Sequence, residues 1–505
     1  MPNAVLTLHP AFTVGPVRRR TFGSFVEHMG RCVYEGIYQP DHPSADEDGF
    51  RTDVLEMIRE LGISTVRYPG GNFVSGYRWE DGVGPREERP RRLDLAWHSV
   101  ETNEFGLDEF MRWAKKADVE PMMAVNLGTR GVQEACDLLE YANLDSGTHF
   151  ADARIANGSA EPYNVRMWCL GNEMDGPWQI GHKTPEQYAR LASETGRAMR
   201  MIDPDLELVA CGSSGPEMET FGTWERAVLT EAYDQVDYVS LHAYYQERDG
   251  DLGSFLASGV HMDRFIADVV AHCDHVRSVR RKEKRIMLSF DEWNVWYQTR
   301  FDTSGPPSEW VTAPPIAEDD YTVADAVVVG GLLISLLRNS DRVTAASQAQ
   351  LVNVLGLIRT EPGDGPAWRQ TIFHPFALTS AHARGQVLDV GLDAPRYDTA
   401  KYGEVPLVDA VATHDPETGA LAVFVVNRDT EQPVTLDLDL RAFEGPLGEG
   451  RLRVLHGDGD PHVVNDALDP DRVLPAEGPA VRPVDGRAGV TLPPVSWSVL
   501  TFPGR

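Results

Sequence analysis

The feature that most restricts the fold of this chain is a repeated alternation of strand-like and helix-like segments between about residues 22 and 383. Short and nearly continuous apolar runs are typical of buried parallel strands. Such runs lie at 22–28, 64–70, 120–127, 163–170, 206–212, 237–244, 285–291 and 343–350. Segments with helical spacing of apolar residues lie at 51–61, 107–117, 132–144, 185–202, 224–233, 262–279, 323–338 and 370–383. Eight repeats of this length predict a (β/α)8 TIM barrel.

A doubly wound open sheet is the main alternative for a chain that alternates strands and helices. That fold predicts a glycine-rich phosphate-binding loop directly after the first strand. The corresponding stretch here is Phe25–Gly30 (FVEHMG), and no dinucleotide-binding or P-loop pattern follows a predicted strand. The closed barrel is therefore the favoured prediction, and no organic cofactor is expected.

The pattern of the chain changes at about Gly385. Beyond it, short runs alternate apolar and polar residues and are separated by Gly, Pro, Asp and Asn, as in an all-β sandwich. The N-terminal segment 3–9 alternates in the same way and precedes the first barrel strand. We therefore predict a catalytic barrel over residues 20–384 and a jelly-roll-like β-sandwich domain formed by residues 1–19 together with 385–505.

Charge and cysteine content exclude several classes of function. The formal net charge is −30 at pH 7, which argues against nucleic acid and anionic membranes as partners. The five cysteines are scattered and none forms a C-x-x-C pair, so neither a disulfide framework nor a structural zinc site is expected. The N-terminus has no pattern of a signal peptide, and no apolar run is long enough to span a bilayer. These features predict a cytoplasmic protein.

Two of the predicted strands end in a carboxylate. The segment Tyr163–Glu173 runs from apolar residues to Gly-Asn-Glu, and Arg285–Asn294 has the same character around Glu292. In a barrel the C-terminal strand ends meet at one face. Two facing carboxyl groups are what glycosidic cleavage requires, one as acid and one to stabilise or trap the anomeric carbon. We predict that Glu173 and Glu292 form this pair, although a single such Glu would more often have a structural role.

Other polar and aromatic residues are expected at the same face of the barrel. They are Glu27, Arg67, Asn72, Asn172, His242, Tyr244, Trp296 and Gln350. Two roles stay open for Arg67, namely structural pairing with a buried carboxylate and orientation of Glu292. His242 alone would more often be a core residue, but its neighbour Tyr244 favours a position in the pocket. Aromatic faces such as that of Trp296 suit the apolar face of a sugar ring.

The same stretches carry a resemblance to a known family. The segments Gly171–Gln179 (GNEMDGPWQ) and Asp291–Tyr297 (DEWNVWY) resemble the two catalytic motifs of the family 51 glycoside hydrolases, the α-L-arabinofuranosidases. Further segments that resemble the family are Glu27–Tyr38, Arg67–Phe73, Thr102–Gly106 and Gln350–Val354. The similarity extends over nearly the whole chain, including the all-β tail, and the combined set of motifs is highly specific.

The resemblance implies a barrel with a C-terminal β-sandwich and a retaining double displacement. It implies that Glu173 is the acid/base and Glu292 the nucleophile. The residues that it places around the furanose or the nucleophile are Glu27, Arg67, Asn72, Asn172, His242, Tyr244 and Gln350, with Trp296 as an aromatic beside the pocket. It also implies an intracellular homo-oligomer, often a hexamer. No residue pattern in the sequence indicates a catalytic metal, so none is expected.

The predicted activity is exo-acting release of terminal non-reducing α-L-arabinofuranosyl residues from arabinofuranosyl-containing oligosaccharides. Within the same class, the resemblance leaves room for an endo-β-glucanase or a hydrolase of another furanoside. From a different class, the chain could be a catalytically silent sugar-binding protein. Activity on an aryl α-L-arabinofuranoside discriminates between these functions, because a binding protein gives none and a glucanase prefers cellooligosaccharides.

Overall fold

The core of the protein is a closed barrel of eight parallel strands. The computed structural model describes residues 2–305, 307–443 and 447–504. The barrel strands are β1 (Gly23–Phe25), β2 (Thr65–Tyr68), β3 (Glu120–Ala124), β4 (Met167–Leu170), β5 (Glu207–Ala210), β6 (Tyr238–Tyr245), β7 (Met287–Val295) and β8 (Val343–Gln348). The last strand closes the barrel by pairing with the first, with Gln348 opposite Ser24. The predicted (β/α)8 barrel is confirmed, and six strands lie within their predicted segments, whereas β6 and β7 begin within theirs and extend beyond them to Tyr245 and Val295.

Eight helices follow the strands and cover the barrel. They are α1 (Thr52–Leu61), α2 (Leu107–Ala117), α3 (Val132–Asn143), α4 (Pro185–Ile202), α5 (Thr223–Ala232), α6 (Ser258–Arg280), α7 (Val323–Arg338) and α8 (Phe373–His382). The start of α4 shows how locally some of these bounds are set. Thr184 accepts a hydrogen bond from the amide of Gln187, the Gln187 side chain accepts one from the amide of Thr184, and Pro185 occupies the first helical position. This capping box is evident in the sequence.

Helix α7 is buried on nearly all sides because it lies between the barrel and the C-terminal sheets. Its outer face packs against three long strands of that domain, Val408–His414, Leu421–Asn427 and Ser496–Phe502. A Cβ atom at Gly330 would lie 2.1 Å from Cδ1 of Trp497, so only glycine allows this close approach. The contact joins the two parts of the molecule.

Shorter elements occupy the connections. The helices are His149–Ala156, Leu252–Leu256 and Gln298–Ser304, and single 3₁₀ turns lie at Arg19–Phe22, Asn72–Ser75, Trp79–Gly82 and Arg86–Glu88. Two hairpins pair Arg92–Asp94 with Ser99–Glu101 and Ile358–Thr360 with Ala367–Arg369. Among the described residues, no helix combines the length and apolarity needed to cross a bilayer.

The C-terminal part is mostly β, as predicted. A four-stranded sheet has the order Gly391–Asp393, Asn3–Thr7, Val434–Asp439 and Arg487–Leu492. A seven-stranded sheet has the order Thr13–Pro16, Gln386–Leu388, Val408–His414, Leu421–Asn427, Ser496–Phe502, Arg451–Leu455 and Ala476–Glu477. A further hairpin pairs Arg396–Thr399 with Gly403–Pro406. Apolar side chains of the two sheets share one core, which makes the pair a sandwich.

The N-terminal segment contributes a strand to each sheet. Asn3–Thr7 pairs in parallel with Val434–Asp439, with Leu6 opposite Leu438, and Thr13–Pro16 pairs with Gln386–Leu388. The alternating pattern of the first segment puts Ala4 and Leu6 into the sandwich core and their neighbours towards solvent. The boundaries 20–384 and 1–19 with 385–505 stay a prediction.

Candidate active site

The candidate site lies at the C-terminal ends of the barrel strands. Strand β4 ends at Leu170, and the next residues turn sharply, with Gly171 at φ +93° and Glu173 at φ +45°. Strand β7 carries Glu292, and the register of the sheet places His242 of β6 directly opposite it. Glu173 and Glu292 are therefore brought together from two strands that are not adjacent in the barrel.

The two carboxylates are close in space. One oxygen of Glu173, one oxygen of Glu292 and one ring nitrogen of His242 all lie within 4.8 Å of one another. Carboxyl groups about 5–5.5 Å apart are typical of retaining glycosidases, whereas inverting enzymes leave roughly 6.5–9.5 Å for a water molecule. The bound of 4.8 Å between one oxygen of each group lies nearer the retaining range than the inverting range.

Glu292 accepts hydrogen bonds on both of its carboxylate oxygens. Arg67 donates a hydrogen bond from Nη2 to Oε1 of Glu292, and the hydroxyl of Tyr244 donates to Oε2 at 2.7 Å. Burial lowers the pKa of Arg67, but the charges of Glu292 and Asp291 outweigh it and raise that pKa above its ordinary value. A guanidinium and a phenol therefore both donate to this carboxylate, and both stabilise the anion.

His242 lies between two carboxyl groups and close to a third. Its Nδ1 atom is 2.8 Å from Oε1 of Glu173, and its Nε2 atom is 3.0 Å from Oδ1 of Asp291. Oε2 of Glu292 is 3.6 Å from Nδ1. Burial lowers the pKa of His242, but the charge of Glu292 and the hydrogen bonds to Asp291 and Glu173 raise it to about 10. The hydrogen bonds therefore keep one proton on Nε2 towards Asp291 and place another between Nδ1 and Oε1 of Glu173.

Glu27 forms the opposite wall of the site. Its Oε1 atom accepts hydrogen bonds from the amide of Phe73 and the indole of Trp97, both at 2.9 Å, and Oε2 accepts one from Gln350 at 2.9 Å. Burial raises the pKa of Glu27 to about 8, despite the hydrogen bonds from Phe73 and Trp97, and the charge of Glu292 adds to the rise. At neutral pH most of this carboxyl group is therefore protonated.

The two asparagines connect these groups. Nη1 of Arg67 donates to Oδ1 of Asn172 at 3.0 Å, and the amide nitrogen of Asn172 lies 3.1 Å from Oδ1 of Asn72. Trp296 packs edge-on against Tyr244, with ring centroids 5.0 Å apart and an angle of 77°. The structure thus brings all ten predicted residues to one face, with Trp296 reaching the carboxylates only through Tyr244.

Comparisons with known proteins agree with this geometry. Residues 57–264 match the family profile described as "Alpha-L-arabinofuranosidase 1 domain", and residues 291–496 match the profile "Alpha-L-arabinofuranosidase C-terminal domain". A protein named intracellular exo-α-(1→5)-L-arabinofuranosidase from Streptomyces lividans is 57% identical over 502 residues, which cover 99% of this chain and 75% of that protein. This chain belongs to glycoside hydrolase family 51, the α-L-arabinofuranosidases.

Two further comparisons support the membership of this family 51 glycoside hydrolase. A protein named exo-α-(1→6)-L-arabinofuranosidase from Bifidobacterium longum is 54% identical over 501 residues, which cover 97% of this chain and 95% of that protein. A solved structure of a family 51 α-L-arabinofuranosidase from Bifidobacterium longum superposes with a TM-score of 0.95 at 50% identity, over 99% of this chain and all of the other. The predicted resemblance is confirmed over nearly the whole chain.

Three residues of the family 51 site were missed by sequence reasoning, namely Trp97, Trp178 and Asp291. Trp178 donates from Nε1 to Oε2 of Glu173 at 2.8 Å. Asp291 and Glu292 are consecutive in β7, yet both contact His242, because the strand pairing is irregular between Phe290 and Trp293. Trp178 and Asp291 both stand in the motifs that carried the resemblance. A regular strand would nevertheless point the side chains of Asp291 and Glu292 to opposite faces of the sheet. Trp97 had no signal beyond lying in a long connection.

Two groups of side chains have the composition of a cation site among the described residues. The first consists of Glu173, His242 and Glu292. It does not fit a cation, because His242 is already hydrogen-bonded to Glu173 and the positive charge of Arg67 lies against Glu292. The second is the exposed acidic run 46–48, whose carboxylates already bind the ammonium group of Lys116 at 2.6–3.0 Å. That the enzyme needs no metal stays a prediction.

Proposed function

We propose that this family 51 enzyme is an exo-acting α-L-arabinofuranosidase that removes terminal non-reducing arabinofuranosyl residues with retention of configuration. The observation that carries the mechanism is the separation of less than 4.8 Å between carboxylate oxygens of Glu173 and Glu292. The substrate class is supported by the relatives, two of which carry exo-α-L-arabinofuranosidase in their names.

In the first step Glu292 is the nucleophile and Glu173 the general acid. The carboxylate of Glu292 attacks the anomeric carbon while Glu173 gives its proton to the departing glycosidic oxygen. Arg67 and Tyr244 hold the attacking group ionised and fix its direction. The product is a glycosyl-enzyme ester and a free aglycone.

In the second step the same two groups exchange their tasks. Glu173, now ionised, removes a proton from a water molecule, which attacks the anomeric carbon and releases Glu292. Arg67 and Tyr244 stabilise the departing carboxylate, because both donate to it in the resting enzyme. Two inversions at one carbon give net retention.

The remaining polar residues provide the hydrogen bonds for a furanose. Asn72, Asn172 and Gln350 offer amide groups, and Glu27 is able to donate as well as accept near its pKa of about 8. The edge-on pair of Tyr244 and Trp296 provides an apolar wall. A site of this kind discriminates sugars by the positions of their hydroxyl groups, because an unmatched buried polar group is costly.

The linkage preference is a question for experiment, since the two relatives are named for (1→5) and (1→6) bonds. We also propose a cytoplasmic location, supported by the word intracellular in the name of the Streptomyces lividans relative. The predicted homo-oligomer, with a hexamer as one possibility, is tested by light scattering on the purified protein.

The proposal is tested by hydrolysis of 4-nitrophenyl α-L-arabinofuranoside followed by proton NMR. The first sugar to appear should be α-arabinofuranose, with the β form and the pyranoses appearing later by mutarotation. Initial release of the β form would contradict the retaining mechanism. Exclusive activity on cellooligosaccharides would instead indicate a glucanase, and a complete lack of turnover would indicate a binding protein.

A further inference from the structure

The two oxygens of Glu173 have partners of different chemistry. Oε1 is 2.8 Å from Nδ1 of His242, and Oε2 accepts a hydrogen bond from the indole Nε1 of Trp178, also at 2.8 Å. An indole nitrogen is a donor and never an acceptor. Oε2 therefore has to act as an acceptor in both protonation states of the carboxyl group.

This restriction determines where the protonated form of Glu173 carries its hydrogen. A proton on Oε2 would weaken the hydrogen bond from Trp178, because a hydroxyl oxygen is a poorer acceptor than a carbonyl or carboxylate oxygen. A proton on Oε1 keeps that bond and is donated to Nδ1 of His242, so Oε1 is the favoured position. That oxygen lies on the side of His242, whose Nδ1 is also the ring nitrogen nearest to Glu292, at 3.6 Å.

Asp291 completes the arrangement from the other side of His242. Its Oδ1 atom is 3.0 Å from Nε2, and the residue is only 2% exposed. A buried carboxylate at that distance keeps a proton on Nε2. Protons that exchange between His242 and Glu173 then do so only along the line from Nδ1 to Oε1.

We propose that Trp178 and Asp291 are positioning residues that direct the exchangeable proton of Glu173 to Oε1. The proposal rests on the proposed function, because it takes Glu173 as the acid/base. The proton leaves Oε1 for the glycosidic oxygen as the bond from that oxygen to the anomeric carbon breaks, and water returns a proton to Oε1 in the second step. The charged or titratable groups that face Glu173 are His242, Glu292 and Asp175.

Trp178 permits a clean test because its side chain is half exposed and anchored at one polar atom. The residue is 52% exposed, and its indole donates to Glu173 alone among the described residues. Replacement at an exposed position changes stability little. Trp178→Phe removes only the N–H donor, whereas Trp178→His restores it, because Nε2 of His is separated from Cβ by the same number of bonds as Nε1 of Trp.

The experiment compares kcat and KM for two substrates, 2,4-dinitrophenyl α-L-arabinofuranoside and an arabinofuranosyl disaccharide. The dinitrophenolate leaves without a proton, whereas the sugar alcohol needs one. With Trp178→Phe we expect kcat/KM for the disaccharide to fall about 10- to 100-fold, since the carboxylate that forms as the proton leaves Glu173 loses a hydrogen bond to a charged group. The value for the dinitrophenyl substrate should change little. Trp178→His should recover most of the loss.

Trp310→Phe is the matched control, because Trp310 is a second partly exposed indole that stacks on His98. It should leave both substrates unaffected. Asp291→Asn should also lower kcat/KM selectively for the disaccharide and shift the pH profile of kcat/KM. Because Asp291 is buried, this substitution can also disturb folding. The Trp178 variants therefore decide the outcome.

Three results would overturn the inference. The first is an equal loss on both substrates with Trp178→Phe, which indicates a role in binding. The second is the absence of any loss with Trp178→Phe, and the third is no recovery with Trp178→His. The proposed function fails separately, if the unaltered enzyme does not hydrolyse either arabinofuranoside or releases an inverted sugar.

Discussion

Removal of the Glu173 carboxyl group is the perturbation that most directly tests the two proposed roles. In Glu173→Ala, substrates with alcohol leaving groups lose general acid catalysis, which contributes about 10²- to 10⁴-fold. An aryl substrate with an acidic leaving group needs no proton in the first step, so its loss in kcat/KM should be much smaller. Steady-state kinetics on an oligosaccharide and on 4-nitrophenyl α-L-arabinofuranoside measure both values.

The structure also predicts that azide restores activity to this variant. The missing carboxylate leaves two N–H donors without a partner, Nδ1 of His242 and Nε1 of Trp178, each 2.8 Å from one of the lost oxygens. A small anion fits between an imidazolium and an indole N–H. Azide bound there attacks the glycosyl-enzyme from the face that water normally uses. The product should be the arabinofuranosyl azide of retained configuration, identified by NMR.

Two variants serve as controls. Glu173→Gln removes the acid but fills the space and keeps an acceptor for Trp178, so azide should not restore its activity. Glu292→Ala should lose several kcal/mol of transition-state stabilisation with every substrate, where about 1.4 kcal/mol is tenfold in rate, and azide should give the inverted product. An inverted azide from Glu173→Ala and a retained one from Glu292→Ala would refute the assignment of roles.

Three more predictions follow from single contacts in the site. Gly71→Ala would place a Cβ atom 3.1 Å from Oε2 of Glu27 and 3.3 Å from Oε1 of Glu292. This displacement of the carboxyl groups should lower kcat/KM by up to about 100-fold. Gly76→Ala is the control and should leave kcat/KM unchanged, because its Cβ atom would lie at an ordinary contact distance of 3.5 Å from Ile180. Arg67→Met should lower the free energy of unfolding by about 3–5 kcal/mol, because it leaves Glu292 buried and without its guanidinium partner. An unchanged midpoint in a denaturant titration would contradict this prediction. The pKa of Glu27 is raised from 4.5 to about 8 in the folded protein. As the pH rises, the unfolded chain therefore releases this proton at a lower pH than the folded protein does. The free energy of unfolding should fall between about pH 4.5 and 8, by up to about 1.4 kcal/mol per pH unit. Glu27→Gln should flatten the fall in this window, and urea midpoints at pH 5 and pH 8 that shift equally in both proteins would contradict it.

Much of the barrel could be predicted because its signals are local. The apolar spacing of Val54, Leu55, Ile58 and Leu61 gives one buried face of α1, and all four are buried. The segment 323–338 shows where such reasoning ends. Its helix was predicted, but burial on nearly every side follows from the sandwich that packs on it, and no periodicity in the helix itself reveals that partner.

The candidate site could be predicted in its members but not in its contacts. The strand-end positions of Glu173, Arg67 and Tyr244 follow from the order of strands in a barrel. The irregular pairing that turns both Asp291 and Glu292 towards His242 depends on the neighbouring strands, and regular alternation would have excluded it. Arg67 was predicted either to pair with a buried carboxylate or to orient Glu292. It does both, because the carboxylate that it contacts is the buried side chain of Glu292 itself.

The sequence alone determined the eight strand–helix units, the β-rich tail, the family and the two glutamates, because these depend on periodicity, capping and motifs that neighbours in the chain define. The tertiary structure decided the closeness of the glutamates, the raised pKa values of His242 and Glu27, and the separate partners of the two oxygens of Glu173. These properties arise from charges and donors brought together across the barrel, and electrostatic interactions depend on separation and burial rather than on order in the chain.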